Sequence, residues 1–271
     1  MTKQTLGIVL VAVVLGLVTL ACRVGLLTDM GGATITPTLP SSPSLTPTGM
    51  AQSGTPEVAV TPLTPHDIAA RSAERMAGVQ SFHFSVQVSG SPVHLESLIN
   101  SPVPLLLNSI EGDVARPDQM KAQITVSTLG IATQIGLIRH AGNTYLSNPL
   151  VGGWEQLSAE TGTALDPSLL FSPEQGLPSM LPSLNLQMVG FGEVQGEVAY
   201  QLQAKVVEGI DMTGFGGQKT AAVDVWVGMQ TFLLRRARVT EVAPDAKEPT
   251  VWLLTLSAFD QPVTITPPSA Q

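Results

Sequence analysis

Residues 64–90 combine a short amphipathic helix with the most regular strand pattern in the chain. Thr64, which is followed by proline, is suited to cap a helix, and Asp67 lies near the positive end of the helix dipole. The apolar residues that follow share one side of this helix, and Gly78 marks its end. From Phe82 onward apolar and polar residues alternate, which is typical of a strand with one buried face. We therefore expect a helix next to a half-buried sheet.

Further strands are predicted where apolar and polar residues alternate between turn residues. Their hairpin spacing favours a mostly antiparallel sheet. The predicted strands cover residues 82–88, 120–127, 131–139, 143–147, 153–157, 197–206, 221–228, 231–242, 249–259 and 262–266. One face of the strand at 197–206 is predicted to carry Val198, Tyr200, Leu202, Ala204 and Val206.

Two segments between the strands have a different character. Residues 90–112 contain several prolines, which prevent long regular structure, and we predict an irregular apolar flap there. Residues 166–186 carry helix start signals at Asp166 and at Ser172, because each of these capping residues is followed by proline. Glycine and proline interrupt the apolar positions that follow. These helices are therefore predicted to be short and loosely held.

The chain begins with a leader pattern at residues 1–21. A polar start containing Lys3 precedes an apolar run, and Cys22 follows Ala21 directly in the tetrapeptide TLAC. This pattern is similar to a bacterial lipoprotein signal, which implies removal of the leader and attachment of lipid to Cys22. An uncleaved helix that spans the bilayer is the alternative. The favoured interpretation places the protein on the extracytoplasmic face of the cell membrane, held there by a lipid anchor.

The remaining chain divides into three parts by composition. Residues 22–63 start at the lipidated cysteine and are rich in Thr, Pro and Ser, so they are predicted to form a disordered linker. Residues 64–267 are predicted to form one folded domain. Residues 268–271 form a short tail.

Composition and motifs argue against several functions. A net charge of -8 gives no attraction to nucleic acid, and a single cysteine cannot form an internal disulfide. The four histidines show no metal-binding spacing, and the chain contains no GxSxG motif. We therefore predict no enzyme activity, no catalytic residue, no metal and no cofactor.

Two groups of charged residues remain to be interpreted. Glu111 and Asp113 share one face of a predicted strand, and such a pair usually lies on a solvated face. Three arginines near the end of the chain could contact a lipid headgroup, although a solvated strand end fits them equally well. These are Arg235, Arg236 and Arg238.

The order of several sequence blocks resembles one known family. The blocks are SFHFSVQVSG, EGDVARPDQMKAQITV, HAGNTYL with GGWEQL, LDPSLLFSPEQGL, VDVWVG with LLRRARV, and LTLSAFDQPVTITPP. Their joint order over about residues 67–267 is similar to the LppX/LprAFG lipoproteins, which are lipid carriers of the bacterial cell envelope. This resemblance implies an α+β half-barrel, in which a strongly curved, mostly antiparallel β-sheet is covered on its concave face by helices.

The same resemblance implies a function. An apolar cavity between sheet and helices would bind the acyl chains of a lipid or glycolipid, and the protein would carry that lipid across the cell envelope. Its partners would be the lipid, the membrane through the N-terminal anchor and, as an open option, a transporter. Ile124 is the residue that we most expect to point into the cavity. The other predicted cavity residues are Met76, Phe84, Val86, Ala122, Val126, Leu137, Leu177 and Leu181.

The pattern of residues alone fits a second interpretation. Apolar strand faces under helices more often form a simple filled core than a cavity. In that case the tethered domain would be an interaction module that binds another envelope protein through a sheet edge or through residues 90–112. Co-purified lipid distinguishes the two, because only a carrier retains it.

Overall fold

The structure is a computed structural model that describes residues 62–95, 103–147, 152–164, 166–174, 176–210, 219–241 and 247–268. The strands are β1 (Ser81–Gly90), β2 (Leu106–Ala115), β3 (Gln119–Thr128), β4 (Ile131–His140), β5 (Asn143–Ser147), β6 (Trp154–Gln156), β7 (Gln187–Val194), β8 (Glu197–Ile210), β9 (Lys219–Gly228), β10 (Leu234–Glu241) and β11 (Thr250–Ser257). The helices are α1 (Pro65–Gly78), α2 (Ala159–Ala164) and α3 (Leu177–Met180), with 3-10 helices at Pro167–Phe171 and Leu181–Ser183.

Helix α1 begins at the cap that the sequence predicts. The Asp67 amide donates to Thr64 Oγ1 at 3.1 Å, and the Thr64 amide donates to Asp67 Oδ2 at 3.0 Å. These reciprocal hydrogen bonds form a capping box. The Thr64 hydroxyl also donates to Asp67 Oδ2 at 2.7 Å, and this bond, followed by that of the Thr64 amide, holds the pKa of Asp67 below its ordinary value. The helix ends at Gly78 and buries Ile68 and Met76 on one side. Its predicted start, end and buried face are confirmed.

The strands form one eleven-stranded sheet in the order β6-β5-β4-β3-β2-β1-β11-β10-β9-β8-β7. Every described pair of neighbouring strands is antiparallel. Two meanders therefore make up the sheet, and they join where the first strand pairs with the last, with Phe84 opposite Leu256. The sheet is open, with β6 and β7 at its two edges. The predicted antiparallel sheet is confirmed.

The chain between β6 and β7 has to cross the sheet, because these strands lie at opposite edges. Residues 166–174 and 176–186, which we call the cover segment, make this crossing over the apolar face. Their side chains Leu170, Phe171 and Leu177 belong to the buried core. Helix α1 packs beside the cover segment and also contacts β9. The sheet curves around these helices, as expected for a half-barrel.

The core lies on the concave side of the sheet. One cluster of buried apolar residues takes in strands β1 to β4 and β8 to β11, together with α1 and the cover segment. A small second cluster, Val194 with Ala199 and Trp226, lies on the outer face. Among the described residues, no helix is both long enough and apolar enough to cross a membrane. Residues 1–61, which include the predicted leader, Cys22 and nearly all of the linker, lie outside the described part.

Strand β7 and most of strand β2 escape prediction from sequence, where only Glu111 and Asp113 were placed on a strand. Strand β2 occupies residues 106–115, so the predicted irregular segment at 90–112 is wrong for its last residues. A register shift between Leu107 and Ser109 breaks the alternation there. Strand β7 is shifted at Gly190 and contains a second glycine, which weakens its strand pattern.

Three local predictions are also wrong. Residues 262–266 form no strand, because β1 is already paired on both sides and only Ile265 is buried there. Ser172 ends a 3-10 helix instead of starting a helix, since its amide donates to the Leu169 carbonyl. Val206 is 68% exposed because β8 shifts register between Ala204 and Val207, which places Val207 in the core instead.

Candidate functional site

The residues predicted to line a cavity lie together in the core on the concave side. Phe84 and Val86 belong to β1, and Ala122, Ile124 and Val126 belong to β3. The others are Met76 on α1, Leu137 on β4, Leu177 on α3 and Leu181 in the second 3-10 helix. All of them are buried members of the same cluster. Burial is expected both in a filled core and in an enclosed lipid site, so their role in lipid binding stays a prediction.

Ile124 lies near the middle of its strand and has an apolar neighbour on each side. It pairs with Ile110 of β2 and with Ile135 of β4, and all of these side chains are buried. The next residue toward the N-terminus, Gln123, is exposed on the opposite face. A change at Ile124 therefore acts on the concave side alone, and Gln123 offers a control position on the outer side.

Aromatic rings connect the cover segment to the centre of the sheet. The ring of Phe171 lies 5.0 Å from that of Phe82 and 5.2 Å from that of Phe84, measured between centroids. The first of these contacts is edge-to-face, which is a favourable arrangement for two aromatic rings. Phe171 thus holds the first 3-10 helix against β1.

Arg116, in the turn between β2 and β3, attaches both α1 and the cover segment to the sheet. Its Nη1 donates to the carbonyls of Met76, Ala77 and Val79 at 2.8, 3.0 and 2.9 Å, and its Nη2 donates to the Phe171 carbonyl at 3.0 Å. A cation at the C-terminal end of α1 is also favoured by the helix dipole. Burial lowers the pKa of Arg116, and the charge of nearby Asp260 acts in the opposite direction.

Arg116 was missed by sequence reasoning. Its carbonyl partners at the end of α1 and in the cover segment are far from it along the chain. An arginine followed by proline in a tight turn carries no local signal of such contacts. The contacts of Arg116 form only because the fold brings these distant segments together.

Asp166 and Arg139 form a second attachment between the cover segment and the sheet. Asp166 is 1% exposed and forms an ion pair with Nη1 of Arg139 on β4. Its Oδ1 accepts hydrogen bonds from the amide and the hydroxyl of Ser168 at 2.9 and 2.5 Å. The predicted start signal at Asp166 is therefore confirmed, although it caps a 3-10 helix. Because the buried carboxylate has both a cation and hydrogen-bond donors, its burial is compensated.

A buried carboxylate lies at the edge of the core. Trp252 Nε1 donates to Glu241 Oε1 at 2.8 Å, and both side chains are buried. Glu241 occupies a position on β10 that shares the core face with Val239. Sequence reasoning missed this pair, although a glutamate at an apolar-face position of a strand is a signal that could have indicated it.

The outer face of the sheet carries a charged network. His83 Nδ1 lies 2.9 Å from Asp113 Oδ1, and His83 Nε2 lies 3.3 Å from Glu111 Oε1. The two acidic residues share one strand face as predicted, and His83 joins them. Both ring nitrogens of His83 face carboxylates, so neither is positioned to take a proton from a nucleophilic side chain.

The three arginines near the end of the chain do not share one environment. Arg236 and Arg238 lie on the outer face, with their guanidinium carbons each 5.7 Å from the centre of the Trp226 ring. Arg235 pairs with Glu197 through Nε at 2.7 Å and Nη2 at 2.5 Å. The solvated-strand interpretation therefore fits Arg238, which is exposed, whereas the Nε of Arg236 is buried.

Glu197 should contribute to stability in a pH-dependent way. Partial burial raises the pKa of Glu197, but hydrogen bonds from Thr231 and Arg235 and the charge of Arg235 outweigh it, so the pKa lies below the ordinary 4.5. A depressed pKa in the folded state stabilises the fold above the unfolded-state value, and this contribution is lost as pH falls through the folded-state pKa.

Between about pH 5 and pH 3, we therefore expect the free energy of unfolding of Glu197→Gln to fall less steeply with decreasing pH than that of the parent protein. The measurement is the free energy of unfolding by urea across this range. Glu74→Gln is the matched control, because Glu74 is exposed on α1. Parallel stability curves for Glu197→Gln and the parent would contradict the assignment.

One known protein family has a sequence model that matches most of the chain. The family model of the LppX/LprAFG lipoproteins matches residues 64–265. The chain belongs to the LppX/LprAFG lipoprotein family. Lipoproteins of this family bind lipid and are associated with the membrane on its extracytoplasmic side. The resemblance noted from the sequence is confirmed.

The solved structure of LprF agrees with this membership at the level of the fold, and LppX is a second solved structure that the chain matches. LprF from Mycobacterium bovis has a TM-score of 0.56 at 17% identity, with 76% of this chain and 100% of that chain covered. Lipoprotein LppX from Mycobacterium tuberculosis has a TM-score of 0.49 at 20% identity, with 74% of this chain and 97% of that chain covered. No curated protein matches the chain by sequence.

Proposed function

We propose that this LppX/LprAFG lipoprotein binds the acyl chains of a lipid or glycolipid between the concave face of its sheet and the covering helices. In this function the protein carries the lipid across the cell envelope while its N-terminus is anchored in the membrane. The predicted cavity residues around Ile124 contact the acyl chains. No residue of the described chain is assigned a catalytic role.

The construction of the cover segment is the observation that carries this proposal. Its described helices contain five, four and three residues. Helices this short have little stability of their own and depend on tertiary contacts. Pro178 and Pro182 each occupy the first turn of a short helix, where proline prevents one longer continuous helix. A cover built in this way separates from the sheet at a lower free-energy cost than one long helix would.

The energetics of lipid transfer favour an enclosed apolar site. Exposing an acyl chain of about sixteen carbons to water costs about 12 kcal/mol, at about 0.8 kcal/mol for each methylene group. A protein that carries such a chain has to provide an environment as dry as the bilayer. The concave face of this sheet supplies apolar side chains from eight strands, and transfer from membrane to protein then needs no chemical energy source.

Native mass spectrometry with lipid extraction tests this function. The full chain, expressed in its own host and purified in mild detergent, should retain a long-chain lipid, and removal of that lipid should lower the melting temperature. Stabilisation on adding the lipid back is expected because the ligand binds only the folded state. Protein that carries no lipid and is not stabilised by any long-chain lipid would refute the carrier function and leave the interaction module.

The membrane anchor has its own test. Replacement of Cys22 by Ala should abolish lipid attachment and move the protein from the detergent phase to the aqueous phase in a Triton X-114 partition. This shift is expected because one or more acyl chains at the cysteine provide the membrane affinity. A detergent-phase protein of unchanged mass after the replacement would instead support the uncleaved spanning helix.

A further inference from the structure

Ser72 is a polar residue in the middle of an apolar contact. It lies on α1, one turn after Ile68 and one turn before Met76, on the side of the helix that faces the core. Ser72 is fully buried, and its Oγ has no hydrogen-bond partner among the described residues. Helix α1 packs against α3 and the second 3-10 helix.

Several other serine and threonine hydroxyls among the described residues have hydrogen-bond partners. Ser179 and Ser183, on the helices that face α1, donate to carbonyls within their own turns, each at 2.7 Å. The buried Ser81 donates to the Gln261 carbonyl at 2.6 Å, and the buried Thr250 donates to the Ser91 carbonyl at 3.2 Å. Serine in a helix could also donate to the carbonyl four residues earlier, but Ser72 makes no such bond.

An unpaired hydroxyl at this place has a cost and no structural benefit in the state described. Burial of a hydroxyl without a hydrogen bond is unfavourable, and alanine has a higher helix propensity than serine. Alanine would also fill nearly the same volume. A group that is unfavourable in one state can be retained when it is used in another state, here the lipid-bound state.

We infer that Ser72 donates a hydrogen bond to the carbonyl oxygen of a fatty acyl ester when the lipid is bound. This inference rests on the proposed function. The side chains of Met76, Leu177 and Leu181, which are predicted to contact acyl chains, come from α1, α3 and the second 3-10 helix, which pack against one another. An ester linkage that reaches this depth needs a donor, and a serine hydroxyl supplies one.

Two probes of equal length test this role in the full chain. Methyl palmitate carries an ester, and octadecane has a similar length without one. Their affinities are measured by displacement of the dye N-phenyl-1-naphthylamine. We expect Ser72→Ala to lower the affinity for methyl palmitate about fivefold relative to the affinity for octadecane, a difference equivalent to about 1 kcal/mol. The melting temperature of the lipid-free variant should equal or exceed that of the parent.

Ser179→Ala is the matched control, since it removes a facing hydroxyl that already has an internal partner. It should leave the ratio of the two affinities unchanged. An unchanged ratio in Ser72→Ala, or a lower melting temperature of the lipid-free variant, overturns the role of Ser72 while the carrier function stands. Failure of the parent protein to bind either probe overturns the proposed function and this inference with it.

Discussion

Replacement of Ile124 by Trp should remove most of the lipid that co-purifies with the protein while the sheet stays folded. Ile124 is 3% exposed on the concave face, where an indole occupies space that the acyl chain would take. Overpacking of this kind costs about 1–3 kcal/mol, which corresponds to a loss of lipid affinity of about five- to 150-fold. The measurement is the amount of extracted lipid per mole of protein, with far-ultraviolet circular dichroism as the check on folding.

Gln123→Trp provides the comparison that isolates the concave face. Gln123 is exposed on the outer face of the same strand, so an indole there should leave lipid retention unchanged. Ile124→Phe, a smaller increase in volume, should give an intermediate loss. If Ile124→Trp retained as much lipid as the parent protein, Ile124 would not belong to the lipid-binding site. A variant that unfolds would instead indicate a filled core, because only a core without free space is overpacked to that degree.

The sequence predicted those parts of the fold that depend on local periodicity. The residues that form the capping box of α1 are close together in sequence, and so are those that alternate in β3. Both features occur where the pattern predicted them. The concave set around Ile124 follows from the same alternation, since strand residues two apart share one face. Local patterns were therefore enough to identify which side chains are buried together.

Register shifts explain most of what the sequence could not show. In β2, β7 and β8 an extra residue changes the face on which the following side chains lie. Val206 and Val207 illustrate this, because both are apolar and only the shift decides which one is buried. Such a shift depends on pairing with a neighbouring strand, and that information is not local.

The attachments of the cover segment were equally hidden. Asp166 was recognised as a capping residue, but its ion pair with Arg139 requires the crossing connection to pass β4. The hydrogen bonds of Arg116 require the β2–β3 turn, the end of α1 and Phe171 to meet in one place. The order of strands decides these contacts, and the residues themselves are unremarkable in sequence.

Replacement of Arg116 by Ala should destabilise the protein by about 3 kcal/mol, since it removes charge-assisted hydrogen bonds to partly buried carbonyls. Four carbonyl contacts are lost at once, and three of them lie at the C-terminal end of α1, where the last carbonyls of a helix lack the usual amide donor four residues later. The measurement is the free energy of unfolding in urea. Amide hydrogen exchange should show loss of protection in the last turn of α1 and at Ser172.

Arg116→Lys separates charge from geometry at this site. Lysine keeps the positive charge but cannot direct two nitrogens at separate carbonyls, so we expect it to restore less than half of the lost stability. Lys121→Ala is the background control, because the exposed Lys121 should change stability by no more than about 0.5 kcal/mol. A full recovery with lysine would mean that the helix dipole alone explains the effect.

The same variant links stability to lipid exchange. Arg116 contacts α1 and the cover segment together, so its loss should loosen the attachment of both to the sheet. Local opening should therefore become more frequent, and a bound fluorescent lipid should leave Arg116→Ala faster than the parent protein. Lost stability with an unchanged rate of lipid release would show that lipid enters elsewhere, away from the contact between α1 and Phe171.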